Sequence, residues 1–223
     1  MRIKTEEIIG GIYLIGGPNI TSSDDAAVYL IDFAGDLVLI DAGAGKSLSQ
    51  LLRNIEMLGL NPANISHLIL THCHIDHIGS APFFNKRYKT KIVIHKLDAE
   101  AVETGDSLKT AANWYGTAFP PTKVDRMLSG SQEILKFGQQ ELHCLHTPGH
   151  TPGSTCYLAN SVCFVGDTLF AGSIGRPSSP QVYQQMLKGI GAKILSLPDS
   201  TILLPGHGPA TTVGEENRHN PFF

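Results

Sequence analysis

Histidine is the residue type whose placement in this chain could do chemistry. There are 10 among 223 residues, and five of them, with two aspartates, stand in four short blocks. The first is Thr71-His72-Cys73-His74-Ile75-Asp76-His77. His150 lies in Thr147-Pro148-Gly149-His150-Thr151-Pro152-Gly153, Asp167 in Gly166-Asp167-Thr168, and His207 in Pro205-Gly206-His207-Gly208. Neutral imidazole and carboxylate are good ligands for borderline divalent ions such as Zn2+. His72 and His74 are two positions apart, so an extended segment aims both at one ion. Asp76 and His77, displaced along the loop, can serve a neighbouring ion. Seven ligands are too many for one tetrahedral ion that also keeps an open position. They suit two ions about 3.5–4 Å apart that share a bridging carboxylate and a bridging hydroxide. His67, His95, His143 and His219 stand alone and read as structural or surface residues. His146, near His150, reads the same way.

Each block follows an apolar run that reads as a buried strand, and loops placed by rigid strands are where sites are usually built. His67 to Leu70 precedes the first block, Glu141 to Leu145 the second, Val162 to Val165 the third and Thr201 to Leu204 the fourth. Further strands are expected at Ile8 to Ile15, Ala27 to Phe33, Asp36 to Ile40, Lys91 to His95 and Ser154 to Leu158. Apolar residues at Leu48, Leu51, Leu52, Ile55 and Leu58 have helical spacing, closed by Gly59. Helices are also expected over Ala81 to Tyr88 and near Gln181 to Ile194. Gly43-Ala44-Gly45-Lys46 reads as a tight turn leading into a helix. The pattern weakens from Ala99 to Pro121, a short helix with a loop or a flap. Strands alternating with helices in both halves predict a single layered α/β domain over residues 1–223.

Composition excludes several classes. The hydrophobic fraction of 42% is too high for a disordered or fibrous chain. The 17 basic residues are outnumbered by 20 acidic ones, for a net charge of −3, and no basic stripe for nucleic acid is present. No apolar run approaches the roughly 18 residues that span a bilayer. Glu6 and Glu7 fall where a signal peptide needs its apolar stretch, so a soluble, cytoplasmic protein is expected. Cys73, Cys144, Cys156 and Cys163 form no C-x-x-C pair and read as buried reduced thiols. H-E-x-x-H, G-x-S-x-G and the G-x-x-x-x-G-K-[ST] loop are all missing from the sequence.

The run THCHIDH, followed by His150, Asp167 and His207 in that order, resembles the metallo-β-lactamase superfamily over essentially the whole chain. The resemblance implies a four-layered αββα sandwich of two mixed sheets face to face with helices outside. Within the superfamily, GDTLFAGSIGR (Gly166 to Arg176) and LPGHGPATTVGEENRHNPFF (Leu204 to Phe223) are most similar to the glyoxalase II-like branch. That branch implies that His72, His74 and His150 hold a first metal, that Asp76, His77 and His207 hold a second, and that Asp167 bridges. Glyoxalase II also carries a C-terminal helical region that binds glutathione, and a short form lacking it is expected here. Pro177-Ser178-Ser179-Pro180 replaces the acidic residue that commonly follows the SIGR segment.

The activity so implied is hydrolysis of a small-molecule thioester or ester, as in hydroxyacylglutathione hydrolases. Two Zn2+ ions lower the pKa of a bridging water toward neutrality. The resulting hydroxide attacks the carbonyl, with Asp76 orienting it and Asp167 holding both ions. An alternative built on the same residues is a persulfide dioxygenase with one Fe2+ on His72, His150 and Asp167, acting on a thiol-derived substrate. A metal-binding module without catalysis is disfavoured, because structural sites are closed and four-coordinate. Trp114, Tyr115 and Arg176 are candidate substrate contacts; otherwise Trp114 is a core residue and Arg176 a member of a surface pair.

Overall fold

Gly10 and Gly11 take φ angles of +51° and +79°, the left-handed values that a two-residue hairpin loop requires. The run expected as one strand from Ile8 to Ile15 is therefore a hairpin of β1 (Glu6–Ile9) and β2 (Ile12–Gly16), with Ile9 opposite Ile12. The structure, a computed structural model, describes residues 5–223; the first four residues of the N-terminal stretch lie outside it. The chain forms two compact units, one running through Ile94 and resuming over Ala99–Met127, the other comprising His95–Asp98 and Leu128–Phe223.

The sheet of the first unit continues with β3 (Val28–Phe33), β4 (Asp36–Ile40), β5 (Ile65–Ile69), β6 (Lys91–His95) and β7 (Arg126–Leu128), in sequence order. β1 to β4 are antiparallel neighbours, and β4, β5 and β6 are parallel. The parallel turnover needs a crossover helix, supplied between β4 and β5 by α1 (Leu48–Met57). Leu51 and Ile55 of α1 are buried, and Asn54 donates to the Ile15 carbonyl at 2.8 Å. Gly59, at φ +77°, ends the helix as its spacing predicts. Leu39, Leu68, Ile92 and Phe84 anchor the core beneath this sheet.

Ala81 to Tyr88 is helical over the expected bounds, but the kind of helix changes along it. A short turn, α3 (Ala81–Phe83), widens into a π turn over Phe84–Tyr88 and stops at Lys89 with φ +61°. The stretch left open between Ala99 and Pro121 begins inside a regular helix, α4 (Lys96–Thr104). A four-residue helix, α2 (Ile75–Ile78), carries the last three residues of the THCHIDH block.

In the second unit the sheet order is β15-β14-β11-β10-β9-β8. Its strands are β8 (Gln132–Phe137), β9 (Gln140–His146), β10 (Thr155–Ala159), β11 (Val162–Gly166), β14 (Ile202–Pro205) and β15 (Thr211–Thr212); β12 (Leu169–Phe170) and β13 (Ser173–Ile174) form a separate ribbon. α5 (Tyr183–Lys193) buries Met186 and Ile190 against Cys156, Cys163, Val165 and Leu203. α6 (Val213–His219) starts at Thr212, whose hydroxyl accepts from the Glu215 amide at 3.2 Å. The Thr-x-x-Glu pattern there is a helix-start signal that the strand-and-helix reading missed. All four cysteines are buried thiols. Among the described residues, no helix is long and apolar enough to cross a membrane.

Candidate functional site

Parallel strands end at one edge, and in the first unit that edge collects donors. Ile40 of β4 lies beside Ile69 of β5, so Asp41, one residue past Ile40, meets Thr71, two residues past Ile69. Asp41 accepts from the Thr71 amide and hydroxyl, each at 2.8 Å, and from His77 Nδ1 at 2.7 Å. It is buried, and its φ is +60°. His72 Nε2 faces His74 Nδ1 at 3.1 Å; the His72 and His77 rings are 4.1 Å apart between centroids. His77 Nε2 lies 3.7 Å from Asp76 Oδ2. His72, Asp76 and His77 are buried and His74 half-buried. The block thus gathers its donors at the strand end, with Asp76 and His77 on the short helix α2 and not on the expected loop.

The second unit repeats the arrangement. β9, β11 and β14 all point one way, because β9 and β11 are each antiparallel to β10 and β14 is parallel to β11. Their ends deliver His150, Asp167 and His207. Asp167 Oδ2 stands 3.5 Å from His150 Nε2 and 3.6 Å from His207 Nε2. The turns of His150 and Asp167 are tied together by Thr147 and Thr168, whose hydroxyls are 3.1 Å apart.

The outer partners decide what the imidazoles present. Thr71 gives its proton to Asp41, so its lone pairs accept the Nδ1 proton of His72, 3.1 Å away. His77 Nδ1 donates to Asp41, and His150 Nδ1 donates to the Arg176 carbonyl at 2.9 Å. In all three rings the proton is held at Nδ1 and the Nε2 lone pair is offered inward. Ligating histidines are oriented in this way, by a carboxylate or carbonyl on the far nitrogen. The donor set of imidazoles and carboxylates therefore fits a divalent metal.

Asp41 and the Arg176 carbonyl were not found by sequence reasoning. Asp41 is one of 20 acidic residues and 36 positions from His77; a backbone carbonyl has no signature at all. The Asp41-Ala42-Gly43 turn at a strand end was the one available signal. Asp41→Ala removes the acceptor of three buried donors, and unsatisfied buried groups cost about 1–3 kcal/mol each. Urea unfolding of the metal-free chain is expected to register a loss of about 3 kcal/mol or more. Asp41→Asn, which tolerates positive φ and keeps one acceptor oxygen, is expected to lose about half of that.

The other histidines occupy the places expected of them. His67 is half-buried beside the Ser66 hydroxyl at 2.8 Å, His143 and His219 sit near Glu141 and Glu215, and His95 is buried with its ring stacked 3.8 Å from that of His146. Trp114 is 74% exposed, not a core residue; it lies in a 3-10 turn, Ala112–Tyr115, that leaves only Ala112 buried. Tyr115 packs partly against the first core, and the Arg176 side chain is exposed. Burial pushes the His95 imidazole down to about 4, reinforced by His146, Lys96 and Lys193 against the pull of Glu133. Burial lowers His67 and His146 as well. The unfolded chain takes up these protons near pH 6.5 and the fold resists them, so stability is full above that pH and falls as pH drops toward 4. The melting temperature of the metal-free chain is expected to fall across that window. His95→Phe, which keeps a ring to stack on His146, is expected to flatten the slope, read from thermal melts at pH 7.5 and 5; an unchanged slope would assign the acid lability elsewhere.

The fold and the two donor clusters define a metal-dependent hydrolase of the α/β class. Residues 24–207 match the Metallo-beta-lactamase superfamily, and the chain belongs to it. It is 37% identical over 193 residues to the hydroxyacylglutathione hydrolase GloC of Haemophilus influenzae, covering 83% of this chain and 86% of that one. Among solved structures, the B3 metallo-beta-lactamase BLEG-1 matches with a TM-score of 0.80 and 30% identity, over 94% of this chain and 97% of that one. TTHA1623, solved in a di-iron-bound form, matches with a TM-score of 0.74 and 32% identity, over 92% and 98%. The fold class expected from the sequence, two mixed sheets with flanking helices, is the one these structures share.

Proposed function

We propose that the chain is a dinuclear zinc hydrolase that cleaves a small thioester of the hydroxyacylglutathione type. In this reading residues 1–223 work as one catalytic domain. His72, His74 and His150 hold one ion, Asp76, His77 and His207 the other, and Asp167 serves both. The observation that carries the reading is the outer hydrogen bonding of His72, His77 and His150, which leaves each Nε2 as a lone-pair donor. The likeness to GloC supports the thioester class. Bound ions of this kind polarise a carbonyl and make water nucleophilic at neutral pH. The chain's own groups do the rest. Asp76 Oδ2 accepts a hydrogen bond from the nucleophile and orients it. Asp41 and the Arg176 carbonyl keep His77 and His150 in the ligating tautomer. Water adds its oxygen to the acyl carbon, the carbon–sulfur bond breaks, and acid and thiol leave. Four reduced cysteines and a thiol-bearing product fit a reducing, cytoplasmic compartment.

The mononuclear iron reading is kept because two imidazoles and one carboxylate, on His72, His150 and Asp167, also suit non-haem Fe2+; TTHA1623, described in a di-iron-bound form, supports iron as the metal but not the count of one. Elemental analysis of protein purified without added metal or chelator separates the two. About two zinc ions per chain, with S-lactoylglutathione cleavage that chelation abolishes, is the expected result. One iron per chain with oxygen consumption on glutathione persulfide would replace zinc hydrolysis by the dioxygenase reading. A chain that takes up no metal would overturn both.

A further inference from the structure

The turn that carries His150 is held from inside by a buried carboxylate on another element. Thr147 donates its amide to the Ser154 carbonyl at 2.8 Å, closing the turn. Asp98, in the first turn of α4, is 2% exposed. Its Oδ2 accepts from the Thr151 hydroxyl and its Oδ1 from the Gly153 amide, both at 2.7 Å. These donors flank His150 on its C-terminal side. The fit leaves no slack: a Cβ at Gly153 would sit 2.5 Å from the Asp98 carboxyl carbon. Three residues before Asp98, the ring of His95 stacks on His146, whose Nε2 donates to the Pro152 carbonyl at 2.9 Å. The tetrapeptide His95–Asp98 thus grips both the entry and the exit of the turn. His150 itself has its far nitrogen fixed by the Arg176 carbonyl, which sets the ring's rotation, whereas Asp98 sets where the backbone places that ring.

We propose that Asp98 is the positioning residue for His150: by accepting from Thr151 and Gly153, it holds the His150 backbone where Nε2 can ligate, and so sets the affinity of the metal that His150 holds. This rests on the dinuclear reading above and adds a residue to it. Charge-assisted hydrogen bonds to a buried carboxylate are short and strong, and loss of such an outer partner weakens metal binding about 10–100-fold.

The test strips the full chain of metal, reloads it with Co2+ or Zn2+ against a chelating indicator, and records the visible spectrum of the Co2+ form. Asp98→Asn and Thr151→Val are expected to weaken binding about tenfold or more and to alter the Co2+ bands, while Thr151→Ser, which retains the hydroxyl, keeps wild-type affinity and spectrum. The metal-free melting temperature separates positioning from folding: Thr151→Val and Thr151→Ser should differ in metal affinity far more than in metal-free stability. If Asp98→Asn does not fold, the Thr151 pair decides. Wild-type affinity and spectrum in Thr151→Val would reduce Asp98 to a structural residue and overturn the inference with the dinuclear reading intact. A wild-type chain that binds neither ion would overturn the dinuclear reading and this inference with it.

Discussion

Asp167→Asn is expected to lower kcat/KM for thioester cleavage about a thousandfold or more while the chain stays folded. Asp167 follows β11, and its Oδ2 lies almost equidistant from His150 Nε2 and His207 Nε2, at 3.5 and 3.6 Å. A carboxylate so placed can serve two ions, which is the part no amide can play. In the proposed dinuclear centre, asparagine would keep the size and one oxygen but remove the negative charge that would offset two divalent cations. A bridging ligand supports both the polarised carbonyl and the nucleophile, each worth several kcal/mol. Loss of about 4 kcal/mol of transition-state stabilisation corresponds to about a thousandfold. Kinetics on metal-loaded wild type and variant, with metal content and melting temperature measured alongside, check it. A variant with wild-type kcat/KM would remove Asp167 from the centre, and one with lost stability but normal metal content would make the effect structural.

The second large effect is on the fold that delivers the THCHIDH block. Gly79 ends α2 with its amide bonded to the Gly43 carbonyl at 2.7 Å. A Cβ there would lie 2.1 Å from the carbonyl carbon of Ala44, and one at Gly45, where φ is +89°, 2.7 Å from the Gly79 oxygen. Two backbones touch at this point, so no side-chain rotation can relieve the clash. Gly79→Ala must push α2, with Asp76 and His77, off the Asp41–Gly45 turn. Overpacking of this kind costs about 3 kcal/mol, which in a chain of this size lowers the melting temperature by roughly 10 °C. The same displacement separates His77 from Asp41, so metal content should fall with stability. Thermal melts and elemental analysis read both, and a variant with wild-type melting temperature would show that the turn can yield.

The two effects differ in how legible their causes are. Asp167 stands out in the sequence because a lone Gly-Asp-Thr after an apolar run, in company with clustered histidines, has a chemical signature. Gly79 has none: glycine in an Ile-Gly-Ser context is ordinary until the opposite backbone is known. The same contrast runs through the elements. Periodicity located α1 and the strands before each block, because alternation and helical spacing are local properties. It merged β1 with β2, since Gly10-Gly11 is a hairpin loop only if the flanking strands pair. It passed over β8, an outer strand of its sheet whose buried residues, Leu135 and Phe137, alternate with exposed Ile134 and Lys136. It placed the helix over Ala81 to Tyr88 with the right bounds but not its widening from α to π after Phe83, ahead of the left-handed Lys89.

The types and order of the candidate ligands were thus written in the sequence itself: which residues can coordinate, and that they follow strands. Tertiary structure alone decided what holds them. Asp41 meets Thr71 across 30 positions because β4 and β5 pair in parallel with Ile40 beside Ile69. Arg176 reaches His150 across 26 positions through a carbonyl, and Asp98 reaches Thr151 across 53. The donor atoms belong to side chains whose chemistry is fixed by residue type, whereas their tautomers and positions depend on hydrogen bonds that exist only once strand register has brought distant residues together.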